Sequence, residues 1–315
     1  MPEVEIPKEK WTGKVREVKI GGNGRKEIVV GGSTAMPFLD FEGEMPNPPR
    51  VAVEVRDDPS GFPPGLLSAW GDATNDVGNW AKKAAEAGAE IVVLRLTGAH
   101  PEGKNAGVDE AKAAVDSVLS AVDLPLMVIG PETADKDNEI LIPVADLAEG
   151  QRIVIGNCVE NNYKTIAATC IANNHIAIAK TPLDINLAKQ LNVQVSDIGV
   201  PLESILMDPD MGALGYGIEY AISIDERLKL AALMGDAVTA VPVINHPGPE
   251  TWRQKEAKVS EGVPESWGDY EERALYWEEL STTSVIHSGA DVVNLCHPKA
   301  VEYIKSMIAS LATGK

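Results

Sequence analysis

One unit recurs eight times from residue 50 onward: a short run rich in valine, isoleucine and leucine, then a longer stretch with helical spacing. The runs are RVAVEVRD (50–57), EIVVLRLT (90–97), PLMVIGP (125–131), RIVIGNC (152–158), HIAIAKTP (175–182), ILMDPD (205–210), VPVINHP (241–247) and DVVNLCHP (291–298). Such near-continuous apolar runs mark parallel strands covered on both faces. Residues 76–90, 108–122 and 270–290 read as helices, with Gly88 and Gly289 placed where a helix end turns left-handed. Eight strands alternating with eight helices is the count of a closed (β/α)8 barrel. An open doubly wound sheet is the competing arrangement, but no GxGxxG phosphate turn follows the first strand.

The residues ahead of the repeat follow another pattern. Residues 14–31 read as a β-hairpin turning at Gly21-Gly22-Asn23-Gly24, and the proline-rich 43–50 as a stiff linker. The reading is therefore α/β: residues 1–45 are an N-terminal hairpin extension and linker, outside the core, and 46–315 are the barrel.

Composition narrows the function classes. A hydrophobic content of 44% over 315 residues supports a large core, and α/β barrels reach this length as one domain. A net charge of −19 repels nucleic acid and anionic lipid; it serves solubility, or a docking face for a basic partner. No window has the roughly 18 unbroken apolar residues of a membrane span. The opening MPEVEIPKEKWTGK lacks the apolar segment of a secretory signal. Cys158, Cys170 and Cys296 are scattered and odd in number, which points to a reducing, cytoplasmic setting. No CxxC pair offers a zinc ribbon, and three thiols are too few for a four-cysteine iron–sulfur cluster.

In a (β/α)8 barrel the C-terminal strand ends form the mouth where sites are built. Here those ends carry polar residues or proline, among them Thr97, Asn157, Thr181, Asp208, Asp210, Asn245 and His246. Asp208 and Asp210 flank Pro209 and serve either a ligand or, for Asp210, the cap of the next turn. Asp208, His246 and His297 would make a metal set. The first strand lacks the histidine pair usual in hydrolase-type metal barrels, so no metal site is assigned. Lys180 becomes a Schiff-base nucleophile only if its pKa falls, and a neighbouring Asp208 would keep it charged. Asn157 and Asn245 suit a large neutral heterocycle bearing amides. The long loop 248–269, with Trp252 and Trp267, has the composition of a partner contact or a lid. No catalytic nucleophile, base or metal triad emerges.

Four stretches carry a family resemblance: NCVENNYKTIAATCIANNHIAIAKTPLDINLAKQLN (157–192), ILMDPDMGALGYGIEY (205–220), VPVINHPGPETW (241–252) and WTGKVREVKIGG (11–22). They resemble the small subunit of the corrinoid iron–sulfur protein, also called the delta subunit of the acetyl-CoA decarbonylase/synthase complex, over essentially the whole chain. The resemblance implies a barrel paired as a heterodimer with a large subunit, which carries a [4Fe–4S] cluster and a corrinoid-binding domain. It implies a cobalamin-type corrinoid, with its cobalt, between that domain and this mouth. Thr97, Asn157, Thr181, Asp208, Asp210, Asn245 and His246 are then the candidates to face the ring. The complex accepts methyl from methyltetrahydrofolate through a methyltransferase and passes it to acetyl-CoA synthase, in the reductive acetyl-CoA pathway of carbon fixation. On this reading the chain is an accessory subunit with no catalytic residue. The chain has no Asp-x-His-x-x-Gly run, which agrees with a cofactor held elsewhere. The family also resembles pterin-binding methyltransferase barrels. The alternative is therefore a chain that binds methyltetrahydrofolate itself, with Asp57, Asn157 and Asp208 on the pterin.

Overall fold

The apolar runs pair in parallel and curl into a ring. In the computed structural model, which describes residues 6–212, 215 and 217–312, a two-stranded hairpin precedes eight barrel strands. The hairpin is β1 (Glu17–Ile20) and β2 (Ile28–Gly31). The barrel strands are β3 (Arg50–Arg56), β4 (Ile91–Arg95), β5 (Leu126–Ile129), β6 (Val154–Cys158), β7 (Ile176–Lys180), β8 (Ile205–Asp208), β9 (Ile244–Asn245) and β10 (Val292–Leu295). Neighbours run β8-β7-β6-β5-β4-β3-β10-β9, and a parallel bridge between Met207 and Val243 joins the two ends. The seam is thin because β9 keeps only two of the residues its apolar run promised. Pro242 has no N–H to donate, and Pro247 already opens a helix.

The helices are α1 (Pro64–Trp70), α2 (Val77–Glu86), α3 (Val108–Ala121), α4 (Ala134–Leu147), α5 (Tyr163–Asn173), α6 (Ile185–Ile198), α7 (Glu219–Leu233), α8 (Pro247–Arg253), α9 (Lys255–Lys258), α10 (Tyr270–Ser288) and α11 (Pro298–Ala312). Asp76, Asp184 and Asp269 start α2, α6 and α10 by accepting backbone N–H groups of the first turn. None of the helices among the described residues is long and apolar enough to cross a membrane.

Residue parity divides each strand between two apolar layers. In β3, Val51, Val53 and Val55 pack under the helices, whereas Ala52 faces the barrel axis with Val93, Ile129, Ile178 and Val292. Val18, Ile20 and Val30 of the hairpin, fully buried, join this axial cluster. The hairpin, which reads as an appendage in sequence, thus plugs the end of the barrel opposite the mouth. Its tight turn takes positive φ at all four residues, Gly21 to Gly24. Arg25 then clamps α3 by donating to the carbonyls of Leu119, Val122 and Leu124, and Arg152 reaches the Lys19 carbonyl. Ile20→Val removes one methylene from this plug and should lower the unfolding free energy by about 0.5–1.5 kcal/mol. Urea unfolding measures this, and an unchanged midpoint would show that the hairpin lies outside the cooperative core.

Candidate functional site

Above the axial cluster the inward-facing residues turn polar, and every unit of the barrel contributes one. Glu54 of β3 is fully buried. Its Oε1 accepts from Arg56 Nε at 2.8 Å, and its Oε2 accepts from Arg95 Nε of β4 at 3.1 Å and from Asn294 Nδ2 of β10 at 2.9 Å. Arg95 Nη1 lies 3.3 Å from Glu132, which follows β5. Glu132 Oε1 accepts from Asn157 Nδ2 of β6 and from Lys180 Nζ of β7, both at 2.9 Å. Lys180 is in register with Asp208 of β8, whose Oδ2 sits 3.5 Å from Nε2 of His246, just past β9. His246 Nδ1 meets Asn294 Nδ2 at 3.0 Å and closes the circuit.

This circuit sets the protonation of its members. Burial alone would raise the Glu54 carboxyl, but Arg95 and Arg56 outweigh it and hold the pKa down to about 2. Burial, then Arg95 and Lys180, lower His246 to about 3, so its imidazole is neutral. Both Asn294 amide hydrogens are spent, one on Glu54 and one on His246 Nδ1. That leaves the imidazole proton on Nε2, facing Asp208. Burial pushes Asp208 up to about 7, against the pull of Lys180. Lys180 itself is raised: burial opposes its charge, but Asp208 and Glu132 more than compensate. It therefore stays protonated. Borohydride with small aldehydes or ketones at neutral pH should leave Lys180 unmodified by mass spectrometry. Selective reduction onto Lys180 would reverse this reading.

Two cavities open above the ring. One, of about 420 Å³, is lined in part by Arg95, Thr97, Glu132, His246 and Glu250. The other, of about 320 Å³, is less polar and lies between Val159, Thr181, Pro182, Leu187 and Leu191. Lys180 and Asp210 border both.

The seven sequence candidates fall unequally around these cavities. Thr97, Asp210 and His246 line the larger one, and Thr181 lines the smaller. Asp208 lies beneath His246 with 1% exposure. Asn157 reaches the ring through a bulge. Ile155 pairs with Ala177 and Cys158 with Ala179, so two β6 residues oppose Ile178, and Asn157 is re-aimed toward Glu132. Asn245 goes elsewhere. Ile244 occupies the axial face, and Asn245 points outward beside Asp225 of α7 without a well-aligned hydrogen bond. Asp57, the pterin candidate, accepts from Thr97 Oγ1 at 3.2 Å and Gly98 N at 2.9 Å, so it braces the turn after β4.

Glu54, Arg95, Glu132 and Asn294 were not among the candidates, although they are the centre of the ring. A charged residue inside an apolar strand, as in VAVEVR and IVVLR, is the signal that marks Glu54 and Arg95. The loop after β9 also differs from its sequence reading. It contains α8 and α9, and Trp252 is not an exposed contact residue. It is buried, stacks on His297 at 5.8 Å, and donates to Glu278 Oε2 at 2.5 Å. Trp267 is 41% exposed. No cluster suited to a metal ion occurs among the described residues. All three cysteines are free and buried.

A family profile described as CO dehydrogenase/acetyl-CoA synthase delta subunit matches residues 17–295, from the first residue of β1 to the last of β10. The acetyl-CoA decarbonylase/synthase complex subunit delta 1 of Methanosarcina thermophila is 33% identical over 314 residues, covering 96% of this chain and 71% of that protein. The subunit delta of Methanopyrus kandleri is 34% identical over 312 residues, covering 96% and 76%. The chain belongs to the CO dehydrogenase/acetyl-CoA synthase delta subunit family. Because the match begins at β1, the hairpin plug lies within the delta-subunit region as much as the barrel does. Among solved structures, a dihydropteroate synthase from Coxiella burnetii superposes with a TM-score of 0.60 at 13% identity, covering 95% of this chain and 100% of that one. A likeness at that identity shows the shared barrel fold of the delta-subunit chain and nothing about its ligand.

Proposed function

We propose that this chain is the small subunit of a heterodimeric corrinoid iron–sulfur methyl carrier, and that its barrel mouth covers the corrinoid held by the large subunit. The observation that carries the reading is the contrast within the mouth. The charged groups of the ring are tied to one another, whereas Asn157 Oδ1, Thr181 Oγ1, Asp208 Oδ2 and Glu250 Oε2 are buried without a hydrogen-bond partner. The cations of a ring locked in this way are held by its carboxylates and are not free nucleophiles. Buried polar atoms left over call instead for a ligand that brings its own hydrogen-bonding groups. The polar amide rim of a corrin fits this donor set, with Asn157, Thr181, Asp210 and Glu250 holding its edge and Thr97 further along the rim. When bound, the corrinoid supplies the cobalt that carries the methyl group between methyltetrahydrofolate methyltransferase and acetyl-CoA synthase. This chain's residues seat the ring edge and exclude water from it. The names of the relatives support membership of an acetyl-CoA decarbonylase/synthase complex. The [4Fe–4S] cluster is assigned to the large subunit, since three buried, separated thiols make no four-cysteine site here.

The test is purification with the native large subunit, then iron, cobalt and visible-absorption assays of the dimer and of each separated subunit. Corrinoid absorption should be retained best by the dimer, iron should follow the large subunit, and this chain alone should carry neither. Stoichiometric iron or cobalt on this chain alone overturns the assignment. Tight methyltetrahydrofolate binding by the isolated chain would establish the pterin-binding alternative instead.

A further inference from the structure

The polar atoms of the mouth divide sharply into donors and acceptors. The donors are committed to acceptors of the ring itself: Arg95 to Glu54 and Glu132, Asn294 with both amide hydrogens to Glu54 and His246, and both Lys180 and Asn157 to Glu132. What remains buried without a partner, apart from the Asp208 oxygen beneath His246, is acceptor oxygen: Asn157 Oδ1, Asn294 Oδ1 and Glu250 Oε2, with Thr181 Oγ1 able to act either way. These are built positions, since Asn157, Asn294 and Glu250 are 3%, 0% and 6% exposed. Glu132 sets the polarity at Asn157. An amide oxygen turned toward this carboxylate would be repelled, so the nitrogen must face it and the oxygen must face away. Glu132 is itself fixed, with a left-handed backbone (φ 63°) whose N–H donates to Asp137 Oδ1. The wall adds Asp58 and Asp210. Two cations in that wall are already engaged: Arg56 binds Glu54 and lies 3.5 Å above the Phe62 ring, and Arg253 binds Glu250.

We infer that the ligand seated on this mouth is held through carboxamide N–H groups, that carboxylate and phosphate groups are rejected there, and that Glu132 is the positioning residue behind this selectivity. The identity of the ligand rests on the corrinoid reading above; the donor–acceptor argument is independent of it. Replacing a side-chain carboxamide by carboxylate exchanges an N–H donor for a negative charge of nearly the same shape, against acceptors that cannot re-pair.

The probes are a cobalamin with all side-chain carboxamides intact and its isomers with one carboxamide hydrolysed to carboxylate. Each is loaded into the dimer with the native large subunit, and retention is read from visible absorbance through gel filtration. At least one isomer should be lost about tenfold faster, or more, than the parent. Glu132→Gln should narrow that ratio several-fold with the dimer and its circular dichroism intact. If that variant does not fold, Glu250→Gln, which removes one acceptor, should narrow it instead. Equal retention of every isomer by a dimer that keeps the parent overturns this inference and leaves the corrinoid reading standing. A dimer that retains no cobalamin at all overturns both.

Discussion

Glu54→Gln should lower the unfolding free energy by about 3–5 kcal/mol, although the two side chains have the same shape. The substitution keeps the volume and removes the charge that compensates Arg95 and Arg56, which lie 10% and 12% exposed beside it. Without that anion Arg95 keeps only its pair to Glu132, and Arg56 loses its carboxylate partner. The effect should depend on pH in one direction. The folded pKa of Glu54 is depressed, from 4.5 to about 2, so its contribution is fully present above pH ~4.5 and is lost as pH falls through about 2. At roughly 1.4 kcal/mol per pKa unit the separation corresponds to about 3 kcal/mol, in line with the charge argument. Urea unfolding of both proteins at pH 7 and in acid checks this. Wild type and variant should converge in acid. A second substitution, Arg95→Met, should recover part of the loss, because it removes one of the stranded charges. If Glu54→Gln unfolds within about 1 kcal/mol of the parent at pH 7, the ring is not what organises the mouth.

The combined variant Asn157→Ala, Thr181→Ala, Asp210→Ala should weaken corrinoid retention in the dimer by about two orders of magnitude. Each lost hydrogen bond is worth about 0.5–1.5 kcal/mol, and three of them sum to roughly 3 kcal/mol, or about a hundredfold. Strand ends hold these groups rigid, so little ordering entropy offsets the contacts they make. Asn245→Ala is the matched control, because its side chain faces α7 rather than the mouth. It should leave retention unchanged even if it shifts stability. A folded, dimeric triple variant that keeps its corrinoid as long as the parent does would remove the mouth from the binding surface.

How much of this was legible in sequence depended on how local the determining interaction is. Parallel strands sheathed by helices leave a period in the chain itself, so RVAVEVRD and its seven counterparts announced the barrel. Polar residues and prolines closing those runs announced the mouth. Three scattered cysteines set a limit on cluster chemistry that needs no coordinates. Other features are properties of register. Glu54 meets Arg95 across 41 residues and Asn294 across 240, and only the stagger of β10, β3 and β4 puts the three on one level. Asn157 faces the mouth because β6 bulges, whereas strict alternation would send it under the helices as it sends Asn245. Trp252 sits in a polar stretch, and its burial depends on Glu278 of α10, 26 residues away. The hairpin's valines and isoleucines declared a strand pair. That they close the barrel required an open end of the right width for Val18, Ile20 and Val30 to fill. The sequence by itself determined the repeat and the polarity of the mouth, because those arise from neighbours close along the chain. Tertiary structure alone decided which charges pair, which amide turns inward and what plugs the barrel, because those depend on how eight strands are staggered when the ring closes.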